Sequence, residues 1–366
     1  MEGTLAKSSD LTFSAPSDAR EILRQPVRDR SAWRRDDVIA DRSWLSELGT
    51  AEIADLEHAV SVAKQRRIPF SKMRKPDFPL SVLDPAFSRL TDELENGRGF
   101  AVLRGFPVQD HEIGDLELMA AGIAAHFGEL IVQNTKGTLI DHVSDRGLSF
   151  DNIAVRGYTT NAELTPHCDS GDIISLLCVR PAKTGGINGL SSAMSIYNGI
   201  LQNHPEYLDD LYEGFHYNLR GSGPPGEGLN VTRHRVPAYS YHKGKLSCRY
   251  NQKAIKTAEE IAGITPLTNQ QKAAVDYVAE LANSPELRFD LKLESGDLLM
   301  LNNHVVFHTR TAFTDHDDPG RKRLLLRLWI NVANPRELTE AFADHYNTGP
   351  RQGPYVHQRN TDALNQ

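Results

Sequence analysis

The chain has 366 residues, with 41 lysines and arginines against 48 aspartates and glutamates, giving a net charge of −7. That length suits two ordinary domains or one large β-rich domain, and the acidic balance gives no sequence-wide positive potential to recruit a nucleic-acid backbone. Three cysteines (Cys168, Cys178, Cys248) contain no C-x-x-C pair, which argues against a disulfide framework and for a reducing, cytoplasmic setting. The first twenty residues hold no signal-peptide core, and no later stretch approaches ~20 apolar residues, so neither export nor membrane insertion is expected.

Residues 1–35 are polar and include Arg28, Arg30, Arg34 and Arg35; they read as a loosely tied arm. Residues 36–66 read as helical, with capping residues and apolar spacings of three and four in 43–48 and 50–56. Residues 84–94 repeat that pattern, 99–108 form a glycine-bounded strand closed by a proline, and 116–127 are again helical. Beyond Leu139 the chain becomes short apolar runs punctuated by Gly, Asn, Asp and Pro. Examples are 173–179, 236–241, 298–301 and 324–330, interrupted by a helix at 269–281. A helical front followed by many short strands predicts a mainly β core, a sandwich or jelly roll wrapped by helices. The glycine- and proline-rich run 220–228 is expected to be a mobile lid.

The chemistry concentrates at His167-Cys168-Asp169. In extended backbone, residues two apart point the same way, so His167 and Asp169 present a nitrogen and a carboxylate to one point. One more histidine completes the two-histidine, one-carboxylate triad that holds iron(II) with positions left open. His304 and His308 are the candidates. A zinc-protease helix would need glutamate where Val305 stands, so His308 is taken as the third ligand and His304 as a structural histidine. Cys168 alternates to the opposite face and reads as core.

In the run 321–330, read as a strand, Arg323 and Arg327 share one face, ~13 Å apart at ~3.3 Å per residue, while Leu324, Leu326 and Leu328 fill the other. Buried arginines need anions, and the guanidinium fork suits carboxylates. A pair of surface salt bridges on an edge strand is the alternative.

The order of strand 99–108, His167/Asp169, Gly185-Gly186, then Gly296-Asp297, Asn303, His308, Arg323 and Arg327 resembles the TauD/TfdA family of iron(II)- and 2-oxoglutarate-dependent dioxygenases, over roughly residues 70–335. The resemblance implies an α+β fold with a double-stranded β-helix and flanking helices. It also implies a helical extension over 1–69 and a C-terminal tail over 336–366. It implies Fe(2+) on His167, Asp169 and His308, with 2-oxoglutarate and O2 as cosubstrates. Arg323 then grips the far carboxylate of 2-oxoglutarate, with Arg321 as its rival, and Arg327 meets an anionic group of the primary substrate. Many members carry Thr or Ser shortly after Gly-Gly-acid to assist at that carboxylate. Here Asn188 falls at the place, and Ser191 or Ser192 are alternatives. Glu163, four residues before His167, stands where some relatives face the substrate.

The implied activity is oxidation of an unactivated C–H bond in a small anionic substrate, an amino acid or related carboxylic or sulfonic acid, with release of succinate and CO2. A halogenase is disfavoured because it would lack the carboxylate that Asp169 supplies. A jelly-roll metal hydrolase or isomerase, or a non-catalytic binding domain, are the competing classes, and neither gives a reason for a carboxylate clamp at Arg323. No nucleic-acid or membrane partner is expected, and a homo-oligomer is compatible with the sequence.

Overall fold

The computed structural model describes residues 21–149, 155–225, 230–261 and 263–357. The chain opens with α1 (Arg35–Ala40), β1 (Leu45–Glu47), α2 (Thr50–Arg66) and α3 (Asp84–Asn96), then β2 (Phe100–Arg104), α4 (Ile113–Ala124), β3 (Gly128–Ile131) and β4 (Ile140–Val143). The strands β5 (Leu164–His167), β6 (Ile173–Arg180), β7 (Thr184–Gly185) and β8 (Asn188–Ser192) come next. Two helices, α5 (Ala193–Asn203) and α6 (Tyr207–Glu213), lead to the hairpin β9 (Tyr239–His242) and β10 (Lys245–Cys248), followed by α7 (Gln252–Ala258) and α8 (Asn269–Asn283). The last part contains β11 (Phe289–Leu291), β12 (Asp297–Asn302), β13 (Val306–Arg310), β14 (Phe313–Thr314), β15 (Leu324–Val332) and α9 (Glu340–Ala343).

The strands form a seven-stranded sheet, in the order β1-β2-β12-β6-β15-β3 with β4 also on β15, and a four-stranded sheet, β11-β8-β13-β5. Period-two patterning decides which face goes where. In β15, Leu324, Leu326, Leu328 and Ile330 pack with α2, α3 and α4 in one apolar cluster. The alternate residues Leu325 and Trp329 join Val102, Leu176 and Leu299 of the same sheet, Leu190 and Phe307 of the small sheet, and helices α5 and α8 in the other. Two sheets closed over a shared core, with helices outside, make the jelly roll.

Three regions depart from the sequence reading. Residues 45–47 were expected in a helix but pair in parallel with β2, Leu45 opposite Val102. The buried Trp44, whose Nε1 donates to Val38 O at 3.0 Å, anchors that edge, so tertiary pairing overrides local propensity. The sheet therefore crosses the expected boundary at residue 69. The described part of the expected loose arm is tied down, with Leu23 N on Tyr212 Oη at 3.2 Å, Val27 N on Asn198 Oδ1 at 2.8 Å, and the buried Trp33 donating to Arg98 O at 2.8 Å. Residues 1–20 lie outside the described residues. The described part of the expected tail, 336–357, is tied down as well, because Arg336 pairs with Glu95 at 3.1 Å and Arg351 pairs with Asp172.

Candidate active site

His167 ends β5 and sits directly opposite His308 of β13 in an antiparallel ladder, so the two rings project to the same side with centroids 4.2 Å apart. Asp169 follows His167 by two residues. Its Oδ1 is 4.0 Å from His167 Nε2 and its Oδ2 is 4.0 Å from His308 Nε2. One ligand atom from each of the three residues lies within 4.8 Å of the others. Nitrogen and oxygen ligands stand ~2.0–2.2 Å from a first-row divalent ion, so the spacing suits one such ion.

The surroundings prepare these side chains as ligands. His167 Nδ1 donates to Thr165 O at 2.8 Å, which fixes the tautomer and leaves the Nε2 lone pair free. Burial, reinforced by the neighbouring His167, pushes the His308 pKa down to about 3, so the imidazole is neutral at physiological pH. Burial, the largest single influence, works to raise the Asp169 pKa; the Arg327 charge, the two histidines and the Trp329 hydrogen bond together outweigh it and hold the carboxyl below its ordinary range. Trp329 Nε1 donates to Asp169 Oδ2 at 2.9 Å and Arg327 Nη1 reaches the same oxygen at 3.3 Å. Asn303 fastens the ligand loop, accepting from Asp169 N at 3.1 Å and donating to Gly171 O at 2.8 Å. Two neutral imidazoles and an ionised carboxylate are the donor set that suits iron(II). The expected structural histidine, His304, bonds Asp172 Oδ1 at 3.0 Å and stays out of the triad.

A second group of buried donors lies toward β7 and β8. Arg323 is 3 % exposed, and its Nη1 has no hydrogen-bond partner. Its guanidinium carbon is 5.0 Å from the centroid of the Phe313 ring. Burial lowers its pKa to about 10, which leaves it charged at neutral pH. A Cβ on Gly186 would stand 3.3 Å from Arg323 Nε, and Gly185 and Gly186 both have positive φ, so the glycine pair makes room for this side chain. Asn188 Nδ2 is buried and also partnerless. Its register partner Arg310 has Nε and Nη1 unmatched, while its Nη2 donates to Thr160 O at 2.8 Å. The rival Arg321 is exposed.

A cavity of ≈ 140 Å³ opens beside the triad, walled by His167, Asp169, Arg327 and Trp329 among others. Arg323 and Asn188 stand outside this wall. Glu163 does too; it is exposed, so the expectation that it faces the substrate finds no support in the geometry. Of the predicted lid, Arg220 lines the cavity, while residues 226–228 lie outside the described residues. Sequence reading missed Arg156, Arg249, His345 and Tyr346, all in the wall. Isolated residues of these types carry no local signal, and only the fold brings them together.

The jelly roll and its two-histidine, one-carboxylate centre define a non-haem iron(II)- and 2-oxoglutarate-dependent dioxygenase. Residues 65–329 match the family described as "Taurine catabolism dioxygenase TauD, TfdA family", and the chain belongs to it. It is 32% identical over 328 residues to the FR-33289 synthase of Streptomyces rubellomurinus, covering 89% of this chain and 96% of that one. It is 30% identical over 158 residues to a uridine-5′-phosphate dioxygenase of Streptomyces sp, covering 42% of this chain and 53% of that one. The crystal structure of an asparagine oxygenase in complex with Fe(II), 2S,3S-3-hydroxyasparagine and succinate superposes with a TM-score of 0.61 at 18% identity, over 79% of this chain and 93% of that one.

Proposed function

We propose that this dioxygenase oxidises a C–H bond of a small anionic molecule held in the cavity beside the triad, with 2-oxoglutarate converted to succinate and CO2. The observation that supports it most is the position of Arg327. It stands in the cavity wall next to Trp329 while touching Asp169, so an anion drawn to it is held within reach of the metal ligands. In this reading His167, Asp169 and His308 hold iron(II). Arg323, helped by Asn188, takes the far carboxylate of 2-oxoglutarate, since both offer buried donors with no partner among the described residues.

When bound, iron(II) with 2-oxoglutarate and O2 supplies the oxidising power that removes a hydrogen from carbon. The chain's own share is placement. Arg327 orients the anionic end of the substrate, its face 4.4 Å from the Tyr158 ring centroid, and Gln133 Oε1 fixes it by accepting from Nε at 2.7 Å. Trp329 holds the Asp169 carboxylate in register, and Asn303 keeps the ligand loop from moving away. Asparagine and uridine-5′-phosphate, named for two proteins this chain is similar to, each carry an anionic group, which fits this assignment. The three cysteines are free and buried, as suits a reducing cytoplasm, and no described helix is long and apolar enough to cross a membrane. The test is a panel of small amino, carboxylic, sulfonic and phosphate-bearing acids, scored for stimulated succinate release. Turnover of 2-oxoglutarate that no anionic compound stimulates, while a neutral one does, would overturn the anionic assignment.

A further inference from the structure

We infer that the cavity is built for a substrate carrying a tetrahedral dianion, a phosphate monoester or a phosphonate, held by Arg156, Arg220 and Arg249. The inference rests on the reading above and narrows its substrate class. All three arginines line the cavity alongside Arg327. Arg327, which orients the anionic group, is itself partly neutralised by carboxylates at 3.3 Å (Asp169) and 3.7 Å (Asp141), so most of the charge that holds the anion falls to the other three. The other three have no carboxylate within salt-bridge distance among the described residues, and the wall's sole carboxylate there is the metal ligand Asp169.

Arg249 is the most telling of the three. It is 6 % exposed, its Nε has no hydrogen-bond partner, and its guanidinium carbon is 5.1 Å from the centroid of the Phe342 ring. Asp172 is the acid that acts on it from a distance, and that carboxylate is already taken by His304 and Arg351. The segment carrying Arg249 runs along the metal loop, with Cys168 N donating to Tyr250 O at 2.8 Å and His167 bridged to Asn251. Among the described residues Arg156 has only neutral acceptors, Ser222 Oγ at 2.5 Å and Gln133 O at 3.2 Å. Arg220 is held in the left-handed region at φ 48, with its backbone N on Asn218 Oδ1 at 2.9 Å. Burial and the Arg156 charge together lower its pKa, the mark of two cations side by side without a counter-ion.

The choice of anion follows from charge and geometry. The far carboxylate of 2-oxoglutarate is assigned to Arg323, outside this wall, and does not neutralise these groups. A monoanion would leave two of these three guanidinium groups, Arg249 buried and Arg156 and Arg220 half-buried, without a counter-charge, which is costly where water is scarce. A planar carboxylate offers two oxygens, and a sulfonate three with a single charge. A phosphate or phosphonate brings two charges and enough oxygens for several guanidinium forks, the pairing in which arginine outperforms lysine.

The test is anaerobic calorimetric titration of the protein loaded with iron(II) and 2-oxoglutarate, using propyl phosphate, propylphosphonate, propanesulfonate and butyrate. The expected result is that at least one of the two dianions binds about tenfold or more tighter than the sulfonate and butyrate. Arg249→Lys and Arg220→Ala should each remove most of that preference, whereas Arg321→Ala, on the exposed surface, should keep it. Binding of 2-oxoglutarate verifies that each variant is folded, and if Arg249→Lys is not, Arg220→Ala and Arg156→Ala decide. Equal affinity for phosphonate, phosphate and sulfonate overturns the inference. So does no measurable binding of either dianion, or a preference that survives in the folded variants. A protein that binds no 2-oxoglutarate overturns the dioxygenase roles assigned above instead, and the same titrations without it still decide the dianion site.

Discussion

Arg327 Nη1 lies 3.3 Å from Asp169 Oδ2, so one guanidinium serves a metal ligand and the cavity wall together. Its role is therefore not confined to the primary substrate, as its spacing from Arg323 alone would imply. Arg327→Ala should weaken iron(II) binding as well as substrate binding, because the Asp169 carboxylate loses a charged neighbour that keeps it ionised. A loss of about tenfold in each, measured by metal titration and by substrate dependence of turnover, is expected. An unchanged metal affinity would restrict Arg327 to the substrate.

Asp169→Ala removes one of three ligands and the only negative charge in the triad. Activity should fall below detection, with iron(II) affinity reduced by about a hundredfold or more. Metal titration read independently of turnover checks this. Retention of wild-type affinity would mean that the ion is held elsewhere.

Arg323 and Arg321 are two residues apart but differ in burial, which makes them a matched pair. Arg323→Ala should raise the 2-oxoglutarate requirement by at least about tenfold, the usual scale for losing a charge-assisted partner. Arg321→Ala, being exposed, should leave it within about twofold. Titrating 2-oxoglutarate against both variants settles the assignment, and the reverse pattern would exchange the two roles.

The Asp172 carboxylate gives the fold an acid limit. Burial works to raise its pKa, but hydrogen bonds from His304 and Arg351 and their charges prevail and hold it well below the ordinary carboxylate range. It also accepts from Val332 N at 3.0 Å. Because the folded group titrates below its unfolded value of ~3.9, its contribution is complete at neutral pH and disappears as pH drops from about 4 toward the folded pKa. Urea midpoints at pH 7 and pH 3 should therefore converge for Asp172→Asn more than for the wild type. Asp172→Ala should cost about 3 kcal/mol at pH 7, since the buried His304 loses its partner and the half-buried Arg351 its carboxylate. Equal pH slopes in wild type and Asp172→Asn would remove Asp172 from this account.

Where the sequence was readable, a short-range pattern carried the information. His167 and Asp169 are two apart on extended backbone, and the leucines of β15 alternate with Leu325, Arg327 and Trp329, so period two placed them correctly. His308 could be told from His304 because Val305 stands where a helical metal motif needs glutamate. What stayed illegible depends on contacts between distant segments. Residues 45–47 look like a helix start but complete the edge of β2. Arg156, Arg220 and Arg249 are single basic residues in loops, and His345 and Tyr346 sit in a segment that reads as a tail until Arg351 finds Asp172. Glu163 fits by spacing alone; it lies just before β5 and is exposed.

The pairing of His167 with His308 joins an outer strand to its neighbour, since β5 is the last strand of the four-stranded sheet and has β13 as its ladder partner. A slip of one residue would turn His167 to the opposite face and dismantle the ion site without breaking the core. An ion held there acts as a rivet across a seam that would otherwise fray, and loading and edge integrity become one equilibrium. Chelation should accordingly speed amide exchange in residues 164–167 and 306–310 ahead of β6, β12 and β15, whose ladders lie inside the larger sheet. Uniform acceleration across both sheets would show instead that the ion supports the whole barrel. On the riveted-seam account, iron starvation in a cell leaves a chain that is folded but open along one margin, exposing an unpaired strand edge to proteases and to other chains.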